Sequence, residues 1–129
     1  FRNGRFNDGR ILQHYLYSLM AGRLISQGEI EHVGYYFTSY RGRGERIKYR
    51  PADLDNQGRK ILASLSGMVI RGAYPATTDD KDCTYCDYKK ICGDTKKLAA
   101  RMKQMLKECH DEKLDSMRSL RQMEADDEQ

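Results

Sequence analysis

Apolar positions recur along the chain with a changing period, and the changes mark its elements. Ile11, Leu12, Tyr15, Leu16, Leu19 and Leu24 fall at the spacing of one helix face. Asp8 is placed to cap that helix and Gly28 to follow its end. From about Glu31 to Tyr40 the period drops to two. Val33, Tyr35 and Phe37 alternate with His32, Gly34 and Tyr36, which predicts a strand. Arg46-Ile47-Lys48-Tyr49-Arg50 alternates again, with Ile47 and Tyr49 on one face and cations on the other. The tract Arg41-Gly42-Arg43-Gly44 between them is a turn or flexible loop, so a hairpin is the simplest arrangement.

Helical spacing then returns. Pro51 and Asp53 open a second helix whose buried stripe is Ile61, Leu62, Leu65, Met68 and Val69, and Gly72 with Pro75 ends it. Ala73 to Gly93 is expected as a loop. From Thr95, the positions Leu98, Met102, Met105, Leu106 and Cys109 predict a third helix, fading into the acidic run Glu124–Glu128, where the end frays. No internal repeat is present. The pattern gives an α/β fold, helix–strand–strand–helix, followed by a loop and a C-terminal helix. Two segments are expected, residues 1–93 and 94–129.

That loop carries the most informative residues of the chain. Cys83, Cys86 and Cys92 stand in a C-x2-C-x5-C run with Tyr85, Tyr88, Lys89, Lys90 and Gly93 around them. Thiols this close can converge on one metal centre, and soft thiolates select zinc, copper(I) or an iron–sulfur cluster. Zinc structural sites and cubane clusters want four ligands. The fourth could be Cys109, His110 or a residue outside this chain. The plainer reading is of ordinary reduced cysteines. With only 4 cysteines in 129 residues and no secretory signal, a disulfide framework is not suggested.

Composition and charge narrow the class. A length of 129 residues allows one modest core. The hydrophobic fraction is 39% and the charged fraction 33%, with no apolar run long enough for a membrane span. A soluble, cytoplasmic chain with no membrane partner is expected. It opens at Phe1-Arg-Asn-Gly-Arg5 without a methionine, which points to a piece of something longer. The net charge of +4 is concentrated in the first half. The densest basic stretch is Arg41, Arg43, Arg46, Lys48 and Arg50, interleaved with glycine and tyrosine, which suits a phosphate backbone. A solvated strand edge protected against aggregation would look the same.

Gln13-His14-Tyr15-Leu16-Tyr17 in the first helix resembles the Q-h-x-x-Y motif of RecB-type PD-(D/E)XK nucleases. Tyr35-Tyr36-Phe37-Thr38-Ser39 is similar to the strand that follows it there. Gly72-Ala-Tyr-Pro-Ala76 followed by the cysteine run resembles the C-terminal iron–sulfur half of the AddB nuclease domain, part of a helicase–nuclease that resects double-strand breaks. The likeness covers roughly residues 9 to 93. It implies DNA phosphodiester hydrolysis in a longer protein, with a helicase domain or subunit as partner. It implies that Cys83, Cys86 and Cys92 are three of four ligands of a [4Fe–4S] cluster, the first lying before Phe1. It also implies a Mg²⁺ or Mn²⁺ site built from an Asp and an Asp/Glu-x-Lys in the upstream part of the same domain. Asp-x-Lys tripeptides do occur at Asp79, Asp87, Asp94 and Asp111, as chance products of a charge-rich composition. Gln13 and Tyr17, at i and i+4, share a helix face from which an amide and a phenol can position phosphate or water. Arg41, Arg43, Arg46 and Lys48 would contact DNA.

Two other readings stand beside this one. The chain could be a small non-enzymatic zinc module binding nucleic acid through the Arg41–Arg50 hairpin, its site closed by Cys109 or His110. It could also be an adaptor whose Met-bearing third helix docks a partner, although such stripes more often belong to a core.

Overall fold

The computed structural model describes residues 5–7 and 9–122. Asp8 and the acidic run Glu124–Glu128 therefore lie outside the described residues, and the N-cap of the first helix is Leu12, with no side-chain cap bond, not Asp8. The elements are α1 (Gln13–Leu24), β1 (Val33–Tyr36), β2 (Arg46–Tyr49), α2 (Pro51–Ile70), α3 (Lys89–Cys92), α4 (Thr95–Glu108) and α5 (Asp115–Gln122). Single 3-10 turns at Asp80–Cys83 and Glu112–Leu114 precede α3 and α5. The fold is mixed, and its opening order α1–β1–β2–α2 is the helix–strand–strand–helix order that the periodicity predicts. Two compact units divide it. One holds the chain up to Ala63 together with the end from Leu120, and the other holds Ser64–Ser119.

The first unit is built on the hairpin. β1 and β2 pair antiparallel, with Val33 opposite Tyr49 and Tyr36 opposite Arg46. β1 is shorter than the alternation suggests, but Phe37 and Glu45 extend the ladder, Phe37 N–H donating to the Glu45 carbonyl at 3.0 Å. The tip is an ordered turn: the N–H groups of Gly42 and Arg43 both reach the Ser39 carbonyl, at 2.9 and 3.0 Å.

Helix α1 turns a different face inward from the one its leucines predict. His14, Tyr15 and Ser18 are buried, while Leu16, Leu19 and Leu24 are exposed, Leu24 at 79%. The cause lies in what the helix meets. The His14 ring sits 5.1 Å from Phe6, 5.1 Å from Tyr49 and 5.4 Å from Tyr35, so the aromatic inner face of the hairpin claims it. Its Nδ1 also bonds the Tyr35 hydroxyl at 3.0 Å. On the other side Tyr15 lies over Gly58 of α2, where a Cβ would come within 2.5 Å of the ring. The Tyr15 hydroxyl donates to Asp55 at 3.2 Å. The helix also ends earlier than expected, because Ile25 is already extended and Gly28 falls in the connection beyond it.

In the second unit the end of α2 is a Schellman motif, with Gly72 at φ 63°. Gly72 N–H reaches the Val69 carbonyl at 3.1 Å and Ala73 N–H the Met68 carbonyl at 2.9 Å. The predicted third helix is two helices. α4 stops at Glu108, the chain turns, and α5 folds back so that Met102, Leu106, Leu114 and Met117 form a core with Met68 against it. Arg118 secures that turn by donating to the terminal carbonyls of Leu106 at 2.9 Å and Cys109 at 2.6 Å. Consequently Met105 and Cys109, expected on the buried stripe, are exposed.

Candidate functional site

Gln13 and Tyr17 are brought together. Gln13 Nε2 donates to the Tyr17 hydroxyl at 2.7 Å across one helical turn, and both residues are exposed, Tyr17 at 56%. Tyr17 is therefore not a packing residue. Its phenol fixes the orientation of the amide and leaves the amide oxygen for another partner.

The Asp-x-Lys tripeptides have a local explanation. Asp79, Asp94 and Asp111 each accept the backbone N–H of the lysine two positions on, Lys81 at 3.0 Å, Lys96 at 3.1 Å and Lys113 at 2.9 Å. They are N-caps of the two 3-10 turns and of α4. Their carboxylates are committed to helix starts, and Asp87 lies exposed in the cysteine loop.

The basic stretch divides in two. Arg50 makes a two-pronged bond to Asp53 at 2.9 and 3.0 Å, which holds the Asp53 carboxyl below its usual range and neutralises the cation. Arg41, Arg43, Arg46 and Lys48 are exposed, the first two at the turn and the others on the outer face of β2. Arg43 holds the turn in the left-handed region at φ 48°. The Arg46 guanidinium stands 4.7 Å from the centroid of the Tyr36 ring. Tyr36 is the residue that the charge pattern alone does not single out. The available signal was its register position, opposite a cation on the polar face of the strand.

In the cysteine loop, Cys83 closes a 3-10 turn and is buried, while Cys86 and Cys92 are exposed. Burial pushes the Cys83 thiol up, and the neighbouring Cys86, Cys92 and Asp82 add to the shift against an opposing Lys89. The three thiols are soft donors, the type of ligand that a thiophilic centre takes. Among the described residues no three His, Cys, Asp or Glu side chains stand together in ligating geometry. Cys109 is exposed at the end of α4, and His110 follows it.

A family model for the PD-(D/E)XK nuclease superfamily matches residues 5–93, more than half of the chain, and the chain belongs to that superfamily. Its class is that of enzymes hydrolysing nucleic-acid phosphodiesters. The match spans α1, the hairpin, α2 and the cysteine loop. No curated protein and no solved structure matches the chain significantly. Among the described residues, no helix is long and apolar enough to cross a membrane.

Proposed function

We propose that the chain is the C-terminal part of a RecB/AddB-type nuclease domain that cuts DNA in a helicase-coupled, cytoplasmic repair enzyme. The observation that carries this reading is the Gln13–Tyr17 pair, exposed on the helix that precedes the hairpin within the superfamily match. Phosphodiester chemistry needs groups that orient phosphate and water without competing for the metal, and a neutral amide held by a phenol supplies that. Arg41, Arg43, Arg46 and Lys48 hold the DNA strand, and α4 and α5 form an appended helical segment.

The acidic residues of the metal site stand upstream of Phe1 in this reading. A bound Mg²⁺ or Mn²⁺ supplies polarisation of the phosphoryl oxygen and activation of water. Cys83, Cys86 and Cys92 hold a [4Fe–4S] cluster with an upstream fourth cysteine, and so close the domain on itself. Two exposed thiols on a short loop, with the third buried at its start, leave the loop open to such a partner.

Cleavage assays test this directly. The purified chain, incubated with duplex and single-stranded DNA in Mg²⁺ or Mn²⁺, should cut neither, while the longer protein should cut in both ions. Cleavage that co-purifies with the chain and vanishes on replacing one of its own aspartates would overturn the assignment.

A further inference from the structure

The outer face of the hairpin holds more than charge. Alternation places His32, Gly34 and Tyr36 on that face of β1, and Arg46 and Lys48 on that face of β2. Gly34 is required by the pairing itself, because a Cβ there would collide with the Ile47 carbonyl. Its bare backbone leaves a shallow concavity of about 220 Å³ between the Tyr36–Arg46 pair on one side and His32 and Lys48 on the other. Tyr36 keeps 58% of its surface open although the Arg46 guanidinium lies against its ring. Tyr40, 98% exposed, stands near the turn.

An exposed tyrosine backed by a guanidinium, beside a gap floored by backbone and a lysine across it, is a poor design for phosphate binding alone. A purely ionic contact makes no use of an aromatic face, whereas a nucleobase can stack on one. The arrangement suits a ligand with a flat apolar face and a phosphate attached to it. We infer that Tyr36 and Arg46 form a stacking subsite for one unpaired nucleobase, with Lys48 on the neighbouring phosphate, so that the hairpin grips single-stranded rather than duplex DNA. In a duplex the base faces are already stacked and cannot reach the ring, whereas an unpaired base offers its π-face to any aromatic platform. This deepens the proposed function and rests on the hairpin's role as the DNA-binding element in it.

The test uses the full chain and fluorescence anisotropy with an oligothymidylate, the same length of abasic strand, and a duplex. Tyr36→Leu keeps bulk on the strand without a π-face, and Tyr36→Phe keeps the ring; circular dichroism checks that both fold. Tyr36→Leu should weaken oligothymidylate binding roughly ten- to hundredfold and leave abasic and duplex binding unchanged, with Tyr36→Phe within about twofold of the parent. Lys48→Ala should weaken all three ligands alike. Equal losses on thymidylate and abasic strands, or duplex binding that depends on Tyr36 to the same degree, would overturn the subsite while leaving the hairpin a DNA-binding element. Absence of binding to every ligand would overturn both.

Discussion

Gln13 and Tyr17 form one unit: the amide nitrogen donates to the phenol at 2.7 Å, and neither side chain is buried. The tyrosine hydroxyl therefore orients the glutamine amide. In the longer nuclease proposed above, Gln13→Ala should lower the cleavage rate by about 10²–10³-fold, the usual loss for one preorganised donor. Tyr17→Phe should lower it less, and Tyr17→Phe added to Gln13→Ala should change little further. A double-mutant cycle of single-turnover rates measures this, and additive losses would show that the two residues act separately.

The exposed hairpin cations predict a salt dependence. Arg41→Ala and Arg43→Ala should each flatten the plot of log affinity against log salt by about 0.7–0.9. Turnover at saturating DNA should hardly change. Arg50→Ala should leave the slope alone, because Asp53 already neutralises that cation, and should show its effect as lost stability at the start of α2. Binding titrations across a salt series separate the two behaviours.

His14 predicts a pH dependence of folding. Its ring is 1% exposed and burial lowers its pKa below the usual value of 6.5. The unfolded chain then binds the proton more readily than the folded one. Stability is full above about pH 6.5 and falls as pH drops from there toward the folded-state pKa. Urea midpoints measured between neutral and mildly acidic pH should show the decline, and His14→Phe should remove this part of it. An unchanged profile in His14→Phe would assign the acid sensitivity elsewhere.

The Asp-x-Lys tripeptides give a stability prediction. Asp94→Ala removes the acceptor of two N–H groups at the start of α4, Lys96 and Lys97, each at 3.1 Å. It should cost about 1 kcal/mol in unfolding free energy. In the longer protein the same change should leave DNA cleavage untouched. Loss of cleavage without loss of stability would mean that the carboxylate has a chemical role.

What could be read from the sequence was whatever depends on local spacing. Alternation around Val33–Phe37 and Arg46–Arg50 fixes the hairpin and its polar face, because strand period is a backbone property. Pro51 and Gly72 bracket α2 for equally local reasons. Long-range competition was not legible. The choice between the leucine stripe and His14–Tyr15–Ser18 on α1 depends on Phe6, Tyr49 and Gly58 arriving from elsewhere in the chain. The break after Glu108 was hidden because Cys109 continues the apolar spacing, and the chain leaves the helix there as Leu114 and Met117 fold back on Met102 and Leu106. Of the candidate site, the cysteine run and the cations are visible as residue types. Tyr36 becomes visible only once the register sets it against Arg46.

If the nuclease domain is of the iron–sulfur kind proposed above, the metal content of the longer protein will reveal it. Purified without oxygen, that protein should be brown and hold about four irons and four sulfides per chain. Cys83→Ser, Cys86→Ser and Cys92→Ser should each lose the colour and the iron, while Cys109→Ser keeps both. A colourless protein with one zinc per chain and no iron, held by Cys83, Cys86 and Cys92, would rule out the cluster.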